Sequence, residues 1–488
     1  MKSSITKKSH AMMIITLRDS ICPLKNKHMK YTRNILLVLL TSLALLSCAA
    51  EQKTDDGWTD LFNGKDLTGW KPVAGTATFE VVDGEIVGTA VAGSPNTFLI
   101  TEEIFGDFIL ELDLKVEHLS SNSGVMARGQ FDPNGKEGKG LVFGYQVEAD
   151  PSERAWSAGI YDEARRGWLY PLDLNPAART AFKMGEFNHY RIEAIGNELK
   201  TWLNGQEVAY VVDEMDKTGF IGLQVHSINK PEDAGRKTTF KNVKVKTSNL
   251  DPIPFKSDIF VVNNTLNNLT EYEKNIGWRL LFDGKTNEGW KGAYKDSFPD
   301  SGWGINEGIL SIAKSNGGES TNAGDIVTKE MFSAFDLAFD FKLTEGANSG
   351  LKYFVTLTEG NKGSAIGLEY QVLDDEKHPD AKMGIEGNRT LASLYDLIKA
   401  DKQPRFVKPI GEWNKGRVVV TPDNKVTHYL NGVKVLEYQR GSQEFKDLVA
   451  ISKYAKWENF GEAKEGHILL QDHGDEVSFK NIKIKTLN

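Results

Sequence analysis

Short segments in which apolar residues occupy every second position dominate the chain. The run Phe108–Val116 shows the pattern well, because alternate positions from Leu110 onward are apolar. This period of two is typical of a strand with one buried face and one polar face. Similar segments lie at 78–82, 85–88, 124–128, 141–148, 189–195, 198–203, 219–225 and 239–245. Since long helical periods are scarce, the pattern predicts an antiparallel β-sandwich.

Turn signals separate these segments. Asp83-Gly84 and Asn204-Gly205 each stand between two alternating runs, and Asn431-Gly432 does the same later in the chain. Asn and Gly accept the positive φ angles that two-residue hairpin turns require. These pairs therefore predict β-hairpins rather than functional loops.

The whole pattern occurs twice. The fifteen residues from Gly57 to Lys71 return at 277–291 with nine identities, and later landmarks return in the same order. A repeat of this length predicts two copies of one folding unit rather than a solenoid. We predict domains at 57–247 and 277–488, joined by a linker at 248–276 with one docked strand near Asp258–Val262. The second unit also has an insertion at 441–465, which we expect to form a short helix and one wall of a cleft.

The N-terminal region resembles an export signal. From Met29 the chain has a basic start and an apolar run of about a dozen residues, followed by Leu45-Leu46-Ser47-Cys48. The run is too short to span a bilayer, which needs about 20 residues. The last four residues resemble a bacterial lipobox, so we expect residues 1–47 to be removed, Cys48 to carry lipid, and Met29 to be the true start. The alternative is an ordinary signal peptide.

Composition excludes several classes of function. Cys22 and Cys48 are the two cysteines in the sequence, so the mature chain has no thiol for catalysis, metal binding or a disulfide. Residues 1–47 carry eight Lys and Arg against one Asp, whereas the whole chain is −8, so residues 48–488 carry about −15. Nucleic acid is an unexpected partner for such an acidic protein. Neutral ligands fit better.

Polar residues recur on equivalent strand segments of the two units. In the run 367–375, Glu369 and Gln371 share the strand face opposite Tyr370 and Val372. Because a sandwich buries one face of each sheet, the polar pair predicts a concave site on the other face. We align Tyr145-Gln146-Val147 with Tyr370-Gln371-Val372, which places Gly144 opposite Glu369. The other polar pairs of the two units are Gln146 with Glu148, Gln224 with His226, and Gln471 with His473.

The loops beside these strands are rich in charge, and four tryptophans mark the domain openings. Carboxylates with His could act as acid and base or hold a hard cation, although their spacing matches no named metal motif. Trp58, Trp70, Trp278 and Trp290 could stack on sugars, but their fixed place at the domain edge favours packing. The charged loop positions are Asp150, Glu153, Arg154, Asp162, Glu163, Arg165, Arg166, Asp374, Asp375, His378, Asp380 and Lys382.

Taken together, these motifs resemble the 3-keto-disaccharide hydrolase family. The shared features are the Gly-Trp opening, Asn-Ser-Gly at 122–124 and 348–350, the run 369–375, Lys408–Asn414 and the ending 466–482. The resemblance covers both units. It implies that the chain folds into two concanavalin-A-like jelly rolls in tandem and that the protein is an exported lipoprotein of the cell envelope. It also implies that the substrates are glycosides already oxidised at C3.

A C3 ketone makes the C2 hydrogen acidic, so the resemblance implies elimination of the C1 aglycone followed by addition of water. Such a site needs a base, an acid for the leaving oxygen, and a donor or cation for the enolate. The candidate catalytic residues are Glu369, Asp374 and His473, with Glu148, Asp150 and His226 in the first unit. The candidate sugar-binding residues are Gln371, Gln471, Tyr395, Gln146, Gln224, Tyr161 and Trp168.

Several alternatives stay open at this stage. The two units could divide elimination and hydration between them, or one could only bind sugar. A non-catalytic carbohydrate-binding lipoprotein is the main rival, because jelly rolls of this type also serve as lectins. A surface adhesion lipoprotein is the third possibility. No cofactor is certain, and a divalent cation is possible.

Overall fold

Strands are the dominant regular element of the described structure, with 42% of residues in strands and 9% in helices. The computed structural model describes residues 56–315, 318–320, 322–358 and 365–488. The predicted signal peptide and the lipid site at Cys48 lie outside these residues. Within them, no helix combines the length and apolarity needed to cross a membrane.

The first domain consists of fifteen strands in two antiparallel sheets. One sheet has the order β13-β12-β11-β6-β15-β4-β3, with β1 also on β15, and the other has the order β10-β9-β8-β7-β14-β5-β2. The strands are β1 Trp58–Asp60, β2 Trp70–Val73, β3 Thr78–Val82, β4 Glu85–Thr89, β5 Thr97–Thr101, β6 Phe108–Val116, β7 Ser123–Asp132, β8 Leu141–Ala149, β9 Ile160–Glu163, β10 Gly167–Tyr170, β11 Asn188–Ile195, β12 Glu198–Leu203, β13 Gln206–Val212, β14 Phe220–Val225 and β15 Lys237–Lys246.

The linker is not a free tether. It contributes a two-residue strand β16, Val262–Asn263, which pairs in parallel with β13 and extends the first sheet. The docked strand therefore begins later than predicted. A short helix, Glu271–Asn275, follows, and Thr270 with Glu273 forms a capping box at its N-terminus. Lys483 of the second domain donates to Glu273 at 2.5 Å, which fastens the linker to the second sandwich.

The second domain repeats the architecture with smaller sheets. One has the order β19-β20-β29-β22-β25-β26-β27, with β17 on β29, and the other has the order β18-β21-β28-β23-β24. The strands are β17 Trp278–Leu280, β18 Trp290–Gly292, β19 Trp303–Asn306, β20 Ile309–Ile312, β21 Ile326–Thr328, β22 Phe335–Leu343, β23 Asn348–Val355, β24 Leu368–Leu373, β25 Trp413–Val420, β26 Lys425–Leu430, β27 Val433–Gln439, β28 His467–Leu470 and β29 Val477–Thr486. The all-β fold with two jelly-roll sandwiches is confirmed.

The alternation of apolar and polar residues along the strands places the apolar residues in the cores of the sandwiches. Leu110, Leu112 and Leu114 are fully buried, as the period of two requires. Trp70 and Trp290 are also buried, and each indole N–H donates to a backbone carbonyl nine residues earlier in the chain. A tryptophan that packs in a core is buried and has a hydrogen-bond acceptor for its indole N–H, and both conditions are met here. Trp70 and Trp290 therefore have a packing role. Trp278 is buried too, whereas Trp58 is half-buried beneath Lys244.

Asn204-Gly205 and Asn431-Gly432 form the predicted hairpin turns. All four residues have positive φ, between 50° and 82°, and the turns join β12 to β13 and β26 to β27. The insertion after β27 contains a helix, Gln443–Ile451, followed by a 3₁₀ turn, Lys453–Lys456. Its far end lies against the open face of the smaller sheet, where the candidate site is found. Residues Gly135–Gly138 form a turn with left-handed backbone angles at Lys136 and Glu137. Further 3₁₀ turns are at Pro176–Thr180, Pro231–Asp233, Pro379–Lys382 and Pro404–Phe406.

Candidate functional site

A cavity of about 620 Å³ opens on the smaller sheet of the second domain. Glu369 and Gln371 reach it from β24, Lys352 from β23, and Gln471 from the end of β28. These three strands are neighbours in the sheet, so their outward side chains converge. The polar side chains predicted to share the open face therefore line one cavity in this domain.

Glu369 is the most unusual carboxylate of this cavity. Its side chain is 5% exposed, and burial raises its pKa to about 7. Within the described parts of the chain, no hydrogen-bond donor engages its carboxylate. Glu369 is therefore a carboxylate with an unoccupied oxygen and a pKa close to neutrality, which suits a general base.

Gly350 on β23 makes room for Glu369. A Cβ atom at this position would lie 2.2 Å from Glu369 Oε1, much closer than non-bonded atoms approach. In the first domain the equivalent Gly124 is crowded in the same way by Gln146, at 2.7 Å. The glycine of each Asn-Ser-Gly motif thus accommodates the polar side chain on the neighbouring strand.

We expect Gly350→Ala to displace the Glu369 carboxylate and lower the turnover of a substrate bound in this cavity by about 100-fold, because displacements near 1 Å cost about that much. The long Glu side chain can move, so the melting temperature should change little. Turnover and thermal unfolding of purified variants measure both effects. Gly124→Ala, which crowds Gln146 instead, is the matched control and should leave turnover nearly unchanged. Equal losses in the two variants would contradict this role.

Two lysines surround Glu369 with positive charge. Lys352 is 4% exposed and donates to the carbonyl of Ala365 at 3.1 Å; burial opposes its charge, but Glu369 and Asp325 raise its pKa. Lys453 comes from the insertion and is open to solvent at the cavity. Protein nevertheless crowds its ammonium group, and this desolvation lowers its pKa. The site therefore contains a fixed buried cation and a more accessible ammonium group.

Two loops complete the walls of the cavity. The insertion supplies Lys453, Tyr454 and Trp457, and the loop after β24 supplies His378 and Asp380. Tyr395 lines the same cavity, and its hydroxyl donates to Asp380 at 2.7 Å. His473 follows Gln471 into the cavity, and burial lowers its pKa, which favours the neutral imidazole. Tyr395, Gln371, Gln471 and His473 are thus brought together with Glu369.

Asp374 does not reach this cavity. It is buried and accepts backbone N–H groups from Gly346, Glu376 and Lys377 at 2.8–3.2 Å. Burial opposes its ionisation, but these donors hold its pKa below the usual range. It lines a separate hollow instead. The prediction that Asp374 is a catalytic residue is therefore wrong in its placement. The Asp374 carboxylate stabilises the turn after β24 and does not face Glu369.

The first domain has a cavity of about 380 Å³ on the equivalent sheet. Gln146 and Glu148 reach it from β8, Tyr161 from β9, Trp168 from β10, and His226 from the end of β14. The second domain closes this cavity with Arg405, Phe406, Lys408 and Asn431. Phe406 packs on Trp156 with ring centroids 5.8 Å apart. The first cavity is thus built from both domains.

Glu148 is held by protein donors on both oxygens. Asn122 donates to Oε1 at 2.5 Å, Gln146 donates to Oε2 at 2.9 Å, and Arg154 lies 3.6 Å from Oε1. Burial still raises its pKa to about 7. Glu148 therefore resembles Glu369 in its pKa but differs from it in having its oxygens occupied.

The sequence alignment of these two strands was wrong by two residues. Gly124 pairs with Glu148 across β7 and β8, whereas the corresponding Gly350 pairs with Gln371 across β23 and β24. Glu148 is therefore equivalent to Gln371, and Gln146 to Glu369. The Gln and the Glu have exchanged places between the two domains, so Gly144 is not the counterpart of Glu369.

The remaining first-domain candidates have supporting positions. Asp150 is buried and receives hydrogen bonds from Ser152 N–H at 3.1 Å and from Arg154 Nε at 2.7 Å, so it orients Arg154 and does not line the cavity. Gln224 is fully buried behind the cavity and donates to Gln146 at 2.9 Å. Trp168 lines the cavity, makes T-shaped contacts with Trp156 and Tyr161, and has the Arg154 guanidinium 4.9 Å from its ring centroid.

We expect Glu148→Gln to raise the free energy of unfolding at pH 8 by about 1–2 kcal/mol. The rise in pKa from 4.5 to about 7 means that the native carboxylate destabilises the wild type increasingly as pH rises through this window, up to roughly 3 kcal/mol. The amide that replaces the carboxylate has a single oxygen, so the hydrogen bond from Asn122 or from Gln146 is lost. This loss offsets roughly 1 kcal/mol of that gain. At pH 4 the gain should vanish. Urea unfolding across pH measures it.

Asp150→Asn provides the opposite control. Burial opposes the ionisation of Asp150, but its contacts with Ser152 and Arg154 lower its pKa, so the native state favours the charged form. This variant should lose stability at pH 8. If the change in the free energy of unfolding caused by Glu148→Gln were the same at every pH, burial of the charged Glu148 carboxylate would not be its cause.

Sequence reasoning missed several residues of the two cavities. Lys352 could have been noticed, because it is a charged residue inside the apolar run 351–355. Glu319, to which Gln471 donates at 3.1 Å, lies in a loop without a recognisable motif. Arg405 and Lys408 are far from the first domain in sequence. The missed lining residues include Lys352, Lys453, Glu319, Asn96 and Arg405, whereas Asn122, Asn348 and Lys408 were noted only as positions of shared motifs.

Comparison with known proteins matches both sandwiches to one family. The profile of the 3-keto-alpha-glucoside-1,2-lyase-like domain matches residues 57–246 and 277–485. A 3-keto-disaccharide hydrolase of Bacteroides thetaiotaomicron is 40% identical over 233 residues, which are 43% of this chain and 79% of that protein.

Solved structures with similar sandwiches cover about half of the chain or less. A candidate glycosyl hydrolase from Parabacteroides distasonis is 33% identical, with a TM-score of 0.41, over 46% of this chain and 100% of its own. A carbohydrate-binding module from Bacillus subtilis is 19% identical, with a TM-score of 0.26, over 36% and 95%. On the strength of the two profile matches, which together span most of its length, the chain belongs to the family of 3-keto-alpha-glucoside-1,2-lyase-like domains.

Proposed function

We propose that the protein cleaves 3-keto-glycosides in the second-domain cavity, with Glu369 as the base. The carrying observation is that Glu369 combines burial, a pKa of about 7 and a carboxylate that receives no hydrogen bond from the described residues. A base with this pKa is half ionised near neutral pH and strong enough to accept a proton from a carbon next to a ketone. The name of the Bacteroides thetaiotaomicron relative supports a 3-keto-disaccharide substrate.

The proposed reaction has two steps. Glu369 takes the C2 proton, the electron pair forms the C1–C2 double bond, and the C1–O bond breaks as the aglycone oxygen receives a proton. Water then adds to the resulting enone, with its hydroxyl on C1 and its hydrogen on C2. The sum is hydrolysis of the glycosidic bond.

Neighbouring side chains suit the other roles. Lys453 lines the same cavity as Glu369, and its lowered pKa makes its ammonium group a better acid for the leaving oxygen than an ordinary lysine. Gln371 and Gln471 line the cavity, and their Oε1 atoms have no hydrogen-bond partner among the described residues, so they can receive sugar hydroxyls. His473 lines the same cavity, and burial lowers its pKa, which favours the neutral imidazole. Asp374 has no part in this scheme.

The first domain is proposed to bind carbohydrate without catalysing this reaction. Both Glu148 oxygens are occupied by Asn122 and Gln146, so the carboxylate is less available to a C2 proton. Trp168 and Tyr161 supply aromatic surface for a sugar ring. A binding role for one unit agrees with the rival lectin-like function considered from the sequence.

We also propose that the protein acts in the cell envelope. The predicted signal segment and Cys48 support export and a lipid anchor on the membrane surface. Labelling with a clickable fatty acid should mark the wild type and not Cys48→Ser. Equal labelling of the two would contradict the anchor.

The proposed function is tested with a 3-keto-β-glucoside and its unoxidised parent. Aglycone release from the keto compound alone is the expected result. Isothermal titration of both compounds into the protein provides the control for binding. Sugar binding without release from a panel of keto-glycosides would contradict the enzymatic function and favour a carbohydrate-binding protein.

A further inference from the structure

Two imidazoles and one carboxylate meet beside Glu369 in the second domain. His378, His473 and Asp475 each offer a ligand atom, and these three atoms lie within 4.8 Å of one another. Among the residues that the structure describes, no other group of three His, Cys, Asp or Glu meets this criterion. His378 and His473 line the same cavity as Glu369. The three residues therefore adjoin the space proposed for the substrate.

Backbone N–H groups engage one side-chain atom each of His378 and Asp475. His378 Nδ1 accepts the N–H of Asp380 at 3.2 Å, which leaves Nε2 as its free nitrogen. Asp475 Oδ2 accepts the N–H of Asn348 at 3.1 Å, which leaves Oδ1 free. No Lys or Arg in the described ranges forms an ion pair with Asp475. Backbone groups thus orient two of the three donors, as is common around metal ligands.

We propose that His378, His473 and Asp475 bind one divalent transition-metal cation, which contacts the ketone side of the sugar. Two imidazoles with one carboxylate match the preferences of Zn²⁺, Mn²⁺, Fe²⁺ or Co²⁺ better than those of Ca²⁺ or Mg²⁺, which favour oxygen. Three protein ligands leave positions for an external oxygen. A cation there polarises the C3 carbonyl and stabilises the enolate that forms when C2 loses its proton.

Buried acceptors beside the ligands point independently to an absent partner. Gln471 Oε1 is buried two residues before His473 and has no hydrogen-bond partner in the described structure, and the same holds for Gln371 Oε1. Buried amide oxygens are rarely left unpaired. Both side chains line the cavity, so a ligand carrying hydroxyl groups or cation-bound water would satisfy them.

The first domain lacks this arrangement and supplies the control. Its His226 is equivalent to His473, but Nδ1 lies 2.8 Å from the carbonyl of Ser227 and the described residues place no second His beside it. His226→Ala should therefore leave cation binding unchanged.

Cation binding is measured without turnover, by titrating Co²⁺ into metal-stripped protein and by elemental analysis after dialysis against Zn²⁺. One cation per chain is expected. His378→Ala and Asp475→Asn should each bind at least tenfold more weakly, and circular dichroism verifies their folds. Binding as tight as in the wild type in both variants, or no binding by the wild type, would overturn the site.

The contact with the sugar rests on the proposed function and has its own measurement. Adding a 3-keto sugar to Co²⁺-loaded Glu369→Gln protein should change the visible Co²⁺ spectrum, whereas the unoxidised parent sugar should change it less. An unchanged spectrum at saturating keto sugar would overturn the contact. Failure of aglycone release in the wild type would instead refute the proposed function, because cation binding is read without catalysis.

Discussion

Glu369→Gln should lower aglycone release from a 3-keto-glycoside by at least 1,000-fold. General-base catalysis typically contributes about 100- to 10,000-fold, and the amide that replaces the Glu369 carboxylate cannot accept the C2 proton. Gln preserves the size of the side chain. Sugar affinity should therefore stay within a few-fold of the wild type. Steady-state kinetics and calorimetry of the same preparation measure both quantities.

The matched control is Glu148→Gln in the first domain. It changes a buried glutamate whose pKa is also near 7, but whose oxygens are occupied by Asn122 and Gln146. Release should remain within about threefold of the wild type. If Glu148→Gln lost as much activity as Glu369→Gln, the two domains would share the reaction, and the assignment of the base to the second cavity alone would be wrong.

Lys352→Met should destabilise the protein by about 3 kcal/mol at pH 8. Removing one partner of a buried charge pair leaves the other uncompensated, which typically costs 3–5 kcal/mol. Here both Asp325, with a pKa raised by burial to about 6, and Glu369 face the ammonium group. The loss should shrink at pH 5, because both carboxyls then take up protons in the folded state.

The same variant should shift the pH dependence of turnover. Without the positive charge of Lys352, the pKa of Glu369 rises further, so the acidic limb of kcat/KM moves to higher pH. Lys456→Met is the control, because Lys456 borders the same cavity but is solvent-exposed over Trp457. Its profile and stability should match the wild type. An unshifted acidic limb in Lys352→Met would show that another group controls it.

Much of the fold follows from local sequence patterns. The alternation in 108–116 predicts a strand whose apolar face is fully buried, and the Asn-Gly pairs predict hairpin turns because their φ angles are positive. The motif that begins at Gly57 returns at Gly277, and each copy contributes a pair of tryptophans to the edge of one domain. The repeat therefore predicts two sandwiches. These features depend on interactions between near neighbours or on one face of one strand.

The site was only partly predictable because it depends on register and on distant segments. The identical Tyr-Gln-Val triplets invite an alignment that is wrong by two residues, and only the pairing of Gly124 with Glu148 and Gly350 with Gln371 reveals the exchange of Glu and Gln. Asp374 carries charge beside the correct strand, yet backbone donors orient it away from the cavity. Closure of the first cavity by Lys408 requires the packing of two domains, which no local pattern encodes.

The most direct test of the proposed chemistry follows the hydrogen on C2. A 3-keto-β-glucoside with deuterium at C2 is incubated with the wild type in ordinary water, and the freshly released sugar is analysed by NMR and mass spectrometry. The free deuterated keto sugar, incubated with Glu369→Gln protein, controls for spontaneous exchange. The account predicts that released sugar has lost its C2 deuterium faster than this control. Release with the C2 deuterium fully retained would contradict elimination and would point to direct displacement at C1.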